Sequence, residues 1–230
     1  MNKVLKIVLE VVLLCAIAGL VYLIYSSIMK PVNFNKQKER REAVAIQRMK
    51  DIRTLQVAYK SVNGKYVSTI DSLKNFYENG KMEVVMQIGS ADDSIAWTHT
   101  EKIKKANRKI TPEKLLEMYN AGDKNLVFSV VTQIPVKDTL FLRRDDFCID
   151  SLATIPFSGG APVIMDADVR MVSGVPVPLF EAKMPYKLLL KGMDNQLRIN
   201  LDAERKDQNK YVGLQVGSLE APNNNAGNWE

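Results

Sequence analysis

Residues 6–30 read KIVLEVVLLCAIAGLVYLIYSSIMK, and residues 35–66 read NKQKERREAVAIQRMKDIRTLQVAYKSVNGKY. Between Lys6 and Lys30 the only charge is Glu10. A helix over that run reaches roughly 34 Å, enough to cross a hydrocarbon core of about 30 Å. Tyr22 and Tyr25 lie toward its far end, where amphipathic rings favour the membrane interface. Past Pro31, a proline expected to kink the helix, the pattern becomes amphipathic. Ala45, Met49, Ile52, Leu55 or Gln56, Tyr59 and Val62 follow three- and four-residue steps and form one apolar stripe. Arg40, Arg41, Lys50, Asp51 and Lys60 cover the rest. Asn63-Gly64 is a turn signal that ends the helix near Ser61.

A cleaved signal peptide competes with an uncleaved anchor for the apolar run. It needs a shorter apolar core and a small-residue cleavage site just beyond. Ser26-Ser27-Ile28 is a poor site, and the segment after it is helix-patterned. Cys15 follows Leu14, where lipoprotein processing requires a small residue. The reading is therefore a single-pass signal anchor over residues 1–30. Orientation is not fixed by charge: Lys3 and Lys6 stand on the short side, and Lys30, Lys36, Lys38, Arg40 and Arg41 on the other. That count alone keeps the long side in the cytoplasm.

Glu10 is expensive in an apolar helix and marks a functional position by default. The alternative is that it sits one turn from Lys6 and snorkels to the headgroups.

The chain has 230 residues and a net charge of +6. About 195 residues follow the span, enough for one domain. The basic excess lies in Lys36–Lys60 and Lys102–Lys109. It lacks aromatic interleaving and any nucleic-acid motif, so it reads as a solvated helix face rather than a nucleic-acid surface. Of the two cysteines, Cys15 lies in the span and Cys148 is alone in the soluble part, which leaves no intrachain disulfide there.

Glu10 within the apolar helix, the amphipathic continuation, the loop Tyr59-Lys-Ser-Val-Asn-Gly64-Lys-Tyr66 and the downstream Ile70-Asp71-Ser72-Leu73 together resemble the N-terminal module of type IV pilins and type II secretion pseudopilins. The resemblance covers the first third of the chain. It implies an α+β fold: a transmembrane helix that continues into a long amphipathic helix packed on an antiparallel β-sheet domain. It implies that the domain lies outside the cytoplasmic membrane, in the periplasm or beyond. It gives Glu10 the role of pairing with a neighbour's N-terminal amine during assembly, and makes Tyr59, Gly64 and Tyr66 the matching loop; in this chain Lys3 is the other cation Glu10 could pair with. One departure stands beside it. The family is cut between Gly and Phe, five residues before its Glu; here Leu5-Lys6 occupies that place. A pilin-like anchored subunit fits this better than a processed pilin.

Downstream, Ile70–Gly80 predicts a short helix with Asp71 as its cap. Glu83–Gly89 predicts a strand and Gly89–Ser94 a turn. Thr111-Pro112-Glu113 opens a helix over Pro112–Tyr119. Leu126–Thr132 and Thr139–Leu142 have strand character. In the last third, Val163–Met165, Val169–Val172, Val177–Phe180 and Tyr186–Leu190 are short apolar runs punctuated by Gly and Pro. They suggest a meandering antiparallel sheet, closed by a hairpin of Leu197–Leu201 and Tyr211–Val216. Ile149-Asp150-Ser151-Leu152 echoes Ile70–Leu73, read as two similar turn starts rather than a duplication. The layout is thus an anchor (1–30), an amphipathic helix and loop (31–66), an α+β domain (67–220) and a flexible tail (221–230). Trp229 in that tail is either part of a disordered terminus or a docking anchor.

Chemistry candidates are few. His99 is the one histidine. Asp146 and Asp150 flank Cys148 and oppose a reactive thiolate. Asp145-Asp146 and Asp166-Ala167-Asp168 pair carboxylates, and an Asp-x-Asp on a strand faces one side and suits a hard cation; the bland reading is a turn or solvated edge. No phosphate loop, dinucleotide fingerprint or zinc spacing occurs. The expectation is a structural, non-enzymatic subunit without cofactor or metal. Its partners are the membrane, copies of itself or other envelope proteins, with neither nucleic acid nor a small-molecule substrate. A monomeric membrane-anchored scaffold is the alternative.

Overall fold

The computed structural model describes residues 3–230, with the side chains of residues 3–6 and 8 outside the described set. The chain is α+β: a long N-terminal helix and, among the described residues, two small antiparallel sheets. Helix α1 runs unbroken from Lys3 to Asn63 and passes through Pro31. The Gly64 amide closes it by donating to Lys60 O at 2.8 Å. Gly64 has φ +72°, the left-handed conformation of a helix C-cap. The helix therefore ends two residues later than the turn signal alone suggests. It is long and apolar enough to cross a membrane.

By its internal contacts the chain divides into two compact units. One holds residues 1–54, 66–70 and 150–230. Its sheet comprises β3 (Ile164–Val172), β4 (Val175–Pro185) and β5 (Gly213–Gly217), in the order β3-β4-β5. The runs read as separate strands at Val163–Met165 and Val169–Val172 form one strand, and the hairpin turns at Ser173-Gly174. Both turn residues have positive φ, 51° and 83°, the mirror-image turn that matches strand twist. Phe180, Ala182, Met184, Leu214 and Val216 are buried, as are Phe34, Ala45, Met49 and Ile52 of α1. The α1 stripe extends lower than the sequence pattern indicates, since Ser26, Met29 and Pro31 are already half-buried.

Two expected strands of this unit are helical. Tyr186–Leu189 forms a single turn, α5. The expected Leu197–Leu201 strand lies inside α6 (Asn195–Asp207), so no hairpin joins it to β5. Asp194 caps α6 by accepting from the Leu197 amide at 3.0 Å. Leu197, Ile199 and Leu201 alternate, but Leu197 and Leu201 are also one helical turn apart, and the cap decides between the two periods.

The second unit holds residues 55–65 and 71–149. It contains α2 (Ile70–Asn79) except for its first residue, β1 (Lys81–Ile88), α3 (Ser94–Ala106), α4 (Pro112–Asn120) and β2 (Phe128–Pro135). Strands β1 and β2 pair antiparallel, with Val85 opposite Val131. Ile88, Phe128 and Val130 pack with Leu115 and Leu126. Ala58 packs with Phe76 and Val136. Thr111 caps α4 as its sequence predicts, accepting from the Lys114 amide. Asp71 lies in the first turn of α2 rather than at its cap. Thr139–Leu142 is not a strand; it follows a short 3-10 turn at Val136–Asp138. The Ile149 echo is likewise a 3-10 turn, unlike the α2 start it resembles in sequence.

Candidate functional site

Every described side chain from Ile7 to Tyr25 is exposed. An aliphatic surface so long is not left to water in a soluble fold; it needs a cover of lipid or protein. Glu10 lies on this exposed stretch. Lys3 is helical backbone, and its side chain lies outside the described residues, so its pairing with Glu10 does too. Cys15 and Cys148 are both exposed and in no disulfide.

The three residues of the pilin-like loop have separate tasks. Tyr59 meets the Phe76 ring edge-on at 5.2 Å between centroids. Gly64 supplies the helix cap described above. Tyr66 lies against Phe180 with centroids 4.9 Å apart, and its hydroxyl accepts from Asn225 Nδ2 at 2.9 Å. The two tyrosines pack and Gly64 takes the left-handed turn, which accounts for the residue types without requiring any ligand.

Polar residues of α1 are less solvated than their sequence suggests. Arg41 Nη1 donates to the carbonyls of Leu189, the last residue of α5, at 3.1 Å and of Lys191, just past it, at 2.8 Å. Arg48 Nη1 donates to Thr154 O at 2.8 Å. Glu42 accepts from the Tyr186 hydroxyl, which in turn accepts from Arg205 Nη2 at 2.8 Å. Burial, then the Glu42 carboxylate, pushes the Tyr186 phenol well above its ordinary range. Part of the basic excess of α1 is thus spent inside the fold. Long-range clasps of this kind leave no local signal, which is why the sequence pattern reads Arg41 as solvated.

The C-terminal residues pair along β5. The Asn228 amide donates to Gln215 O at 2.9 Å and the Gly217 amide to Ala226 O at 3.1 Å. Arg53 Nη1 reaches Glu230 Oε1 at 2.7 Å. That guanidinium holds the Glu230 carboxyl below the usual range. Trp229 is half-buried, and its ring lies over Gly227, where a Cβ would stand 2.3 Å from it. It is an intramolecular cover here, in a segment expected to be a flexible tail.

The carboxylate pairs resolve into local contacts. Asp166 Oδ1 and Asp168 Oδ1 each accept, at 2.8 Å, from the amide of the following residue. Asp168 also lies 3.6 Å from Arg170. Asp146 takes both its oxygens to Arg144, at 3.1 and 2.8 Å. His99 Nε2 and Asp123 Oδ2 are 2.9 Å apart on a partly exposed surface, and this bond holds the Asp123 carboxyl below its ordinary range. Among the described residues no group of three or more His, Cys, Asp or Glu could hold a metal ion.

No protein-family profile matches the chain, and neither the curated proteins nor the solved structures compared with it give a match.

Proposed function

We propose that the chain is a pilin- or pseudopilin-like structural subunit of an envelope secretion or filament machine. Its helix would anchor it in the cytoplasmic membrane as a single span, with the rest of the chain in the periplasm or outside. The observation that carries this reading is the two-part character of α1. Below Ser26 the helix offers a bare apolar surface; above it, the same helix supplies buried residues and arginine clasps to a domain containing an antiparallel sheet. A subunit built so can pack its spans side by side while the same helix carries its outer domain. In this reading the upper part of α1 is packed on β3-β4-β5, and copies of the chain or other envelope proteins are its partners.

A monomeric anchored scaffold is the second reading. Leu5-Lys6, in the place of the family's Gly-Phe cleavage site, favours it. The test is the mass of the full chain extracted in mild detergent, together with crosslinking through Cys15 in a Cys148→Ser background. Oligomers and crosslinked dimers support the subunit. A monomer without crosslinks supports the scaffold. Phosphatase fused after Glu230 is expected to be active, and inactivity would place the domain in the cytoplasm and remove the pilin-like reading.

A further inference from the structure

The burial of α1 changes at one point. Ile7 to Tyr25 would span roughly 28 Å, nearly the full hydrocarbon thickness of about 30 Å. Ser26 is the first residue of the stripe to be half-buried by the chain itself. No linker separates the exposed apolar stretch from the folded part. Resting on the membrane reading above, this puts the lowest part of the unit at headgroup depth.

At that level α1 and the start of α6 border an open surface cleft of about 400 Å³, most of whose lining residues are exposed. Leu23, Ser26, Ser27 and Lys30 line one side, and Asp194, Gln196 and Leu197 the other. The two leucines are its apolar members. Lys30 and Asp194 are its charged members, one cation and one anion. Asp194 Oδ1 is occupied by the Leu197 amide, so Oδ2 is the oxygen left for a ligand.

We infer that this cleft holds the headgroup of one membrane phospholipid that carries both a phosphate and a primary ammonium. Lys30 and the serine hydroxyls take the phosphate, Asp194 takes the ammonium, and Leu23 and Leu197 meet the start of the acyl chains. The charge pattern selects among lipids. An anionic headgroup without an amine sets a second negative charge beside Asp194, which is unfavourable at short range. A trimethylated amine cannot donate a hydrogen bond to it.

The full chain is reconstituted in vesicles of mixed phosphatidylethanolamine, phosphatidylcholine and phosphatidylglycerol, re-extracted gently, and its retained lipid counted by mass spectrometry. Wild type is expected to keep about one phosphatidylethanolamine per chain, several-fold above the other two. Lys30→Gln and Asp194→Asn are each expected to lower that retention several-fold. Asparagine caps helices as well as aspartate, so Asp194→Asn tests the charge without removing the start of α6. Retention unchanged in both variants, or no preference among the three lipids, overturns the site. Carbonate extraction of the same vesicles checks the membrane reading separately. A chain that stays with the vesicles but keeps no lipid refutes the cleft alone, while a chain released by carbonate refutes the anchor and the cleft together.

Discussion

The Tyr186 hydroxyl donates to Glu42 Oε1 at 2.5 Å, joining the middle of α1 to a residue 144 positions away. Arg205 of α6 completes the set by donating to the same hydroxyl and lying over the ring, 5.5 Å from its centroid. Tyr186 has no exposed surface. One phenol therefore ties three helices of one unit.

Tyr186→Phe keeps the ring and removes both hydrogen bonds, leaving Glu42 and Arg205 short of a partner. The expected loss is about 1–3 kcal/mol, read by chemical denaturation. The variant also tests pH dependence. The phenol's pKa is raised on folding. Its contribution is fully present below the unfolded value and is lost as pH rises past it, because the unfolded state then ionises while the folded state keeps the proton. Wild type should lose stability between about pH 10 and 11 more steeply than Tyr186→Phe. Equal slopes would mean that the phenol is not held in its neutral form by the fold.

Pairing of residues 226–228 with β5 predicts a measurable protection. The Gln215 amide donates to Asn228 Oδ1 at 3.1 Å and the Gly217 amide to Ala226 O. Removing residues 223–230 leaves both without these acceptors. Hydrogen exchange at Gln215 and Gly217 should then accelerate by an order of magnitude or more, corresponding to roughly 1.4 kcal/mol of local opening. The β3–β4 amides should change little. Unchanged exchange at Gln215 and Gly217 would show that the segment spends little time on the sheet.

Among the described residues strand β3 pairs only with β4, so no strand there covers its other edge. The Ala167 and Val169 amides, two residues apart, are taken by the carboxylates of Asp166 and Asp168. A capped, negatively charged edge resists strand addition from another chain. Asp166→Ala combined with Asp168→Ala should leave the unit folded and raise its self-association, seen as increased light scattering on gentle warming. If scattering matches wild type, the carboxylates are not what protects this edge.

How far the sequence carries depends on the range of each signal. Helix α1, the Thr111 cap of α4 and the strand character of β1 and β2 were legible, because each rests on a local period or cap; the pairing of β1 with β2 was not. Helix α3 was not. Its buried residues are Ala96 and Thr100, too small to mark an apolar stripe, and its cap Asp93 stood within what read as a turn. Helix α6 has no fully buried residue, and its Leu-Arg-Ile-Asn-Leu run satisfies strand and helix periods together. The candidate site divides in the same way. The exposed apolar run was evident, whereas the α1 clasps and the Lys30–Asp194 cleft join residues more than a hundred positions apart, where no pattern in a single sequence points.

Glu10 remains the residue on which the subunit and scaffold readings differ most. As a snorkelling side chain it makes no subunit contact, and Glu10→Leu would only remove a polar penalty from the span. As the partner of a neighbour's amine or Lys3 it would fix the register of packed spans, and its loss would strand a buried cation at a cost of several kcal/mol. Cys15 lies on the same exposed stretch of α1 and reports span packing directly. In the Cys148→Ser background, oxidation should give Cys15-linked dimers. Glu10→Leu should reduce them at least tenfold while the amount of protein in the membrane stays constant. Glu10→Gln, which keeps the size but not the charge, should reduce them as well. Dimers that persist in both variants would assign Glu10 to the headgroup boundary, and packing of the spans would then rest on their aliphatic faces alone.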